Sequence, residues 1–167
     1  PGAFTGAQQD TDSVYLGGMV AFLVAAAALF GSILANPGIS PLRRVLGAGI
    51  DAAATGFFMI AAGVHALPLF LVYVWITLAN GFRYGQSYLL TSLGFSVFSF
   101  LLVIAFSPFW REIPYVGVGL ISALSILAVY VVSLVRRMSA AVARAEAANE
   151  AKRRFISVVS HEMRTPL

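Results

Sequence analysis

Long apolar runs broken by short polar turns fill the first 134 residues. The windows 13–42, 52–82, 84–110 and 113–135 contain no Asp, Glu, Lys or Arg. Each exceeds the roughly 20 residues that a membrane-spanning helix needs. Turn signals cut these windows into five predicted spans, at about 14–35, 45–64, 67–82, 87–106 and 116–134. The cuts fall at ANPGISP, at the brief connection through His65, at the loop from Arg83 to Gln86, and at SPFWREIP. The opening PGAFTGAQQDTDS is polar and acidic and reads as a loose external segment over 1–13.

Composition agrees with a bilayer environment. Of the 167 residues 59% are hydrophobic and 11% charged, against about 45–50% and about 25% in soluble domains, which excludes a soluble enzyme. Residues 1–134 hold four basic and four acidic groups, which cancel, so the net charge of +4 belongs to residues 135–167. A basic stretch directly after a membrane helix points to the anionic cytoplasmic headgroups. Nucleic acid is the weaker partner, because no aromatic platform accompanies the charge. With no cysteine and only His65 and His161, disulfides and a structural zinc site are not expected. The chain opens on Pro1 without Met, so further sequence is expected upstream.

Arginine placement sets the orientation. With Arg43, Arg44, Arg83, Arg136 and Arg137 inside, the N-terminus, the His65 turn and SPFWREIP lie outside. Arg111 is then offset by Glu112. Tyr15, Phe109, Trp110 and Tyr115 would form the outer aromatic belt, and Phe82, Tyr84 and Tyr88 the inner one. The third span is short: sixteen residues at about 1.5 Å each reach about 24 Å, against about 30 Å of hydrocarbon. Local thinning of the bilayer and a crevice open to an amphiphile both fit it.

Small residues repeat every four positions at Ala48, Ala52 and Gly56, a spacing that lets helix backbones approach. Ser92, Ser96 and Ser99 form a polar stripe on the fourth span, and Gly119 with Ala123 a small one on the fifth; packing is the expected use of all of them. Asp51 is the one carboxylate inside a span, about 10 Å beyond Arg44. Such a group needs a partner. Asn80 and Arg83 reach a similar depth on the third span, leaving a structural latch and a ligand or gating role both open. Trp75 falls mid-span, where its indole N–H also calls for a partner. Tyr84 and Arg83 complete the candidate set for a ligand.

No helix breaker follows Leu134 until Pro166, and alanines are dense. One continuous helix is expected from about Val116 to Thr165. Alternating steps of four and three select Leu134, Met138, Ala141, Ala145, Ala148, Lys152, Phe155 and Val159, a coiled-coil seam that implies a parallel homodimer. The alanine-rich middle buries little area. A high-propensity surface helix and a rod with two packings of similar energy both remain open.

The last residues, Phe155-Ile-Ser-Val-Val-Ser-His161-Glu162-Met-Arg-Thr165-Pro166-Leu167, resemble the H-box of bacterial sensor histidine kinases. An imidazole titrating near about 6.5 is largely an uncharged nucleophile at neutral pH, suited to attack a γ-phosphoryl group. The resemblance implies His161 as phosphoacceptor, Glu162 as general base and Thr165 at the position used in dephosphorylation. Pro166 cannot donate to the carbonyl of Glu162, so the helix can bend just past the histidine.

A second resemblance rests on Asp51 with Thr55-Gly56, on the run from Trp75 through Asn80, Arg83 and Tyr84 to Leu89, and on Ser107-Pro108-Phe-Trp110 with Pro114-Tyr115. These are similar to the input domain of RpfC-type hybrid kinases, which sense diffusible signal factors, the cis-2-unsaturated fatty acids of quorum sensing.

The expected fold is therefore an all-α membrane protein: a sensor domain of five transmembrane helices over 14–134, a juxtamembrane coiled-coil linker over 135–154, and the start of a dimerisation domain over 155–167. The expected setting is the bacterial inner membrane, with the C-terminus cytoplasmic. The resemblance implies a fatty-acid-like signal and membrane lipids as partners of the sensor domain. It also implies ATP and Mg as cofactors of the full-length kinase, and a response-regulator receiver domain as its partner. No Gly-rich nucleotide loop lies in these residues, so alone they are expected to be inert. A lipid-binding or transport protein, and a kinase sensing the bilayer itself, are the alternatives.

Overall fold

The computed structural model describes the backbone of residues 2–163 and the side chains of residues 13–156. It is helical throughout, as expected: α1 (Gly2–Ala35), α2 (Pro41–Ala62), a 3₁₀ helix (Gly63–Leu69), α3 (Phe70–Tyr84), α4 (Gln86–Phe106), α5 (Pro108–Glu112) and α6 (Pro114–Met163). Thr165 and Pro166 lie outside the described residues, as do the side chains of His161 and Glu162.

Two expectations about local secondary structure need correction. The N-terminal segment is not loose: α1 starts at Gly2, because no proline or turn signal interrupts the chain before Asn36. The SPFWREIP segment is not a plain turn. Pro108 at a helix start is preorganised for helical φ, and one short helix, α5, forms there.

Among the described residues, four helical stretches are long and apolar enough to cross a membrane: Ser13–Ala35, Pro41–Tyr84, Gln86–Phe106 and Pro114–Ile156. The second is 44 residues long because the chain between α2 and α3 never leaves helical geometry. It nevertheless doubles back. Arg44 lies over Tyr84, Asp51 and Asn80 line one crevice, and Gly56 abuts Tyr73. Rising numbers on α2 thus meet falling numbers on α3. The reversal begins at Gly63, whose φ of 55° favours glycine, and Pro68 keeps the 3₁₀ segment from joining α3 as regular α-helix.

Central to the bundle is α4, which packs on α2, α3 and α6, while α1 touches α2 alone among the described residues. The serine stripe faces inward, with Ser92, Ser96 and Ser99 all buried. Ser99 Oγ donates to the Ala52 carbonyl at 2.7 Å. Its single proton is thereby used, so the Tyr73 hydroxyl, 2.8 Å away, donates to Ser99. A second contact joins Thr77 and Ser96 at 3.3 Å. The small-residue repeat on α2 makes this approach possible: a Cβ at Gly56 would strike Ser99 Oγ and stand 3.0 Å from Tyr73 Oη.

Above this tie, Met59, Phe70, Phe100, Val103 and Trp110 form the main core; below it, Leu89, Ala128, Val131 and Val132 join α4 to α6. The expected stripe at Gly119 and Ala123 does not pack, since Ala123 is exposed and Gly119 has open space beside it. Gly117 packs instead, against Ile104, because α6 begins two residues before the expected start and presents that face to α4.

Replacing Gly56 by Leu should therefore force α2 from α4 and lower stability by about 1–3 kcal/mol. Ser99→Ala should cost less, about 0.6–1.7 kcal/mol, the range of a membrane interhelical hydrogen bond. Denaturant unfolding in detergent micelles would measure both; a Gly56→Leu chain as stable as the parent contradicts the packing.

Candidate functional site

Asp51, Trp75, Asn80, Arg83 and Tyr84, singled out on separate grounds, line one crevice of about 450 Å³. Its walls are the last turns of α1, the first half of α2 and the second half of α3. Ser40 caps α2, accepting from the Arg43 N–H at 3.4 Å, and Pro41 occupies the first turn. Gly85, with φ 92°, ends α3.

Two arginines, Arg43 and Arg44, build the mouth. The Arg43 guanidinium donates to the carbonyls of Ser32 and Asn36, each at 2.6 Å, and to that of Gly38. These carbonyls lie at and just past the end of α1, where a cation is favoured; that of Ser32 also accepts from the Asn36 N–H at 3.2 Å. Arg44 lies 4.2 Å above the Tyr84 ring and 5.6 Å from that of Tyr88, and the two rings pack edge to face. Arg83 has neither an ion pair nor a hydrogen bond among the described residues.

The expected latch does not form. Asp51 is exposed, and the ion pair among the described residues is Glu150–Arg154 on α6. Asn80 instead turns its amide back to the Ile76 carbonyl at 2.8 Å, which satisfies it within its own helix. Trp75 is 70% exposed, so its indole faces out of the bundle and finds no interhelical partner there.

The buried indole belongs to Trp110, 0% exposed rather than in the outer belt, and stacked edge to face on Phe100. Residue type alone cannot separate a belt from a core position; α5 turns this ring inward. Its Nε1 and the neighbouring Ser107 Oγ are buried without a protein partner. His65 lies exposed in the 3₁₀ turn. The sequence also hid the roles of Arg43 and Arg44. An arginine pair directly after a Ser-Pro helix start was the available signal for a cap on the preceding helix end.

The seam residues Leu134, Met138, Ala141, Ala145, Ala148, Lys152 and Phe155 are all exposed along α6. Arg136 contacts Gln86 at 2.5 Å, so Arg43, Arg44, Arg83 and Arg136 gather at one end of the bundle and Arg111 at the other.

Over 149 residues, 89% of its length, the chain is 40% identical to the sensory/regulatory protein RpfC of Xanthomonas campestris pv. campestris, in each of two strains. It spans about a fifth of the length of these curated relatives, which are 20% covered. The likeness read from the motifs thus extends over most of the chain. No family model and no solved structure matches it.

Arg43→Ala should free the end of α1 and cost about 1–2 kcal/mol. Faster hydrogen exchange at residues 32–40, with α4 unaffected, is the expected reading; unchanged exchange would show that the cap carries no weight.

Proposed function

We propose that this chain, a relative of the sensory/regulatory protein RpfC, is the transmembrane input module of a sensor histidine kinase. The observation that carries the reading is the join of that similarity to a single helix. Without interruption α6 runs 50 residues, from the outer turn of the bundle to Met163, about 75 Å at the usual rise. The H-box motif sits at its far end. Helical geometry transmits rotation or displacement over that length only if nothing in the rod yields.

In this reading α2 and α3 are separate crossings, giving five with the N-terminus outside. The cluster of arginines at one end of the bundle supports that orientation. Two copies pair along the exposed α6 seam, since an apolar stripe left in water is a protein–protein interface. His161 accepts the γ-phosphoryl group of ATP, which a downstream Mg-dependent domain supplies. ADP leaves as Glu162 draws off the imidazole proton, and Thr165 stands at the position that serves dephosphorylation, in which water takes the phosphoryl group and inorganic phosphate is released. A receiver domain takes the phosphoryl group onward.

The signal is an amphiphile of the fatty-acid type. Its tail partitions into the bilayer, and a folded-back α2–α3 pair, which leaves wall surface open to lipid, gives it access.

Two measurements test this. In the full-length protein with labelled ATP, His161→Gln should abolish acid-labile phosphate, and unchanged incorporation would end the kinase reading. Cis and trans isomers of one 2-unsaturated fatty acid should differ in their effect on that incorporation by about tenfold or more, the equivalent of ~1.4 kcal/mol of shape discrimination. Equal responses would instead mark a sensor of bilayer state.

A further inference from the structure

We propose that the crevice between α1, α2 and α3 holds the phosphate headgroup of an anionic phospholipid drawn from the leaflet at the arginine end. The inference rests on the membrane placement given above but not on kinase activity.

The first support is depth. Arg43 and Arg44 lie in the first turn of α2, and Arg83 lies in the last turn of α3. All three stand where helices leave the hydrocarbon, at headgroup level. Trp75 and Asp51 lie about 12 Å and about 10 Å further in along their helices. The cavity therefore has a cationic mouth, and inward of it Leu29, Ile33, Trp75 and Ile76 share the wall with Asp51 and Asn80, so a lipid would enter with its headgroup at the mouth.

Charge is the second support. Three guanidinium groups face one carboxylate, an excess of two positive charges. Arg43 is occupied with backbone carbonyls, whereas Arg44 lies against the Tyr84 and Tyr88 rings, lines the crevice and spends no guanidinium donor on an ion pair among the described residues. Arg83 is unpaired among the described residues. Two available guanidinium forks suit the oxygens of a phosphodiester, which accept bidentate hydrogen bonds. Basic pockets between membrane helices on the cytoplasmic side take such headgroups. The volume of about 450 Å³ falls within the range of ligand pockets, roughly 300–1,000 Å³.

A wall indole supplies the readout. Trp75 is 70% exposed and Trp110 fully buried at the other end, so a quencher on lipid chains near the crevice should reach Trp75 selectively. The full chain is reconstituted in vesicles of equal parts phosphatidylcholine and phosphatidylglycerol, with bromine on the acyl chains of one lipid or the other. A Trp75→Phe chain supplies the Trp110 background. Brominated phosphatidylglycerol should quench Trp75 at least about twofold more than brominated phosphatidylcholine. Arg44→Gln and Arg83→Gln should each weaken the preference, by roughly fivefold in relative affinity. Arg83→Lys should keep part of it, and Asp51→Asn, which removes the opposing charge, should enlarge it. Arg111→Gln, at the other end, should change nothing.

Circular dichroism and unchanged Trp110 emission establish that each variant is folded. Equal quenching by the two lipids in the parent chain overturns the proposal, as does a preference that survives both glutamine variants. Displacement of the phosphatidylglycerol signal by an equal mole fraction of oleate would make the occupant a carboxylate-headed acyl chain and would also overturn it. None of these readings involves phosphate transfer to His161, so the kinase reading stands or falls separately.

Discussion

Ser99 is where the bundle is tied together. Its hydroxyl gives its proton to a carbonyl on α2 and receives one from Tyr73 on α3, so one side chain on α4 fixes three helices at one level. In hydrocarbon no hydrophobic force draws helices together, and close packing with polar bonds must do so instead. The tie works only because Gly56 lets α2 come within hydroxyl reach of α4. Shifting any one of the three helices by a turn would leave a buried hydroxyl or carbonyl unpaired.

Much of this arrangement was legible in the sequence because it depends on period and depth. The serine stripe and the small-residue repeat each select one helix face, and each face proved buried. Counting residues inward from Arg44 set Asp51 at a depth similar to that of Asn80 and Arg83, and the crevice that receives these three also takes Trp75 and Tyr84. Depth arithmetic does not tell which way a side chain points, however. Asn80 satisfies itself on its own helix, Trp75 faces outward, and Asp51 makes no latch.

What escaped the sequence was set by tertiary contact. The cap that Arg43 makes depends on how the chain turns between α1 and α2, since its guanidinium reaches back eleven residues to Ser32. Trp110 was misplaced because the short α5, hidden within a proline-bounded turn, rotates it into the core. On α6 a stripe of small residues was assigned to packing where Gly117, slightly earlier, does that work. In each case the residue types fitted more than one setting, and contact with a neighbouring element decided between them.

The same contacts constrain how any event in the crevice could reach the long helix. Its walls are α1, α2 and α3, and α1 touches α2 alone among the described residues. The crevice is therefore coupled to α6 through α3 directly and through α4, which both α2 and α3 grip. Along that route the polar contacts are unequal. The Tyr73–Ser99–Ala52 chain is short at both steps, whereas Thr77 and Ser96 stand 3.3 Å apart, near the outer limit of a hydrogen bond. Nearest the crevice mouth, Leu89 packs over Gly81 on one side and into the Ala128–Val131–Val132 cluster of α6 on the other. The shorter hydrogen bonds therefore lie at Ser99, and the longer one lies on the mouth side. The α3 end at Arg83 is thus joined to α6 through Leu89, which meets that helix at Ala128, Val131 and Val132.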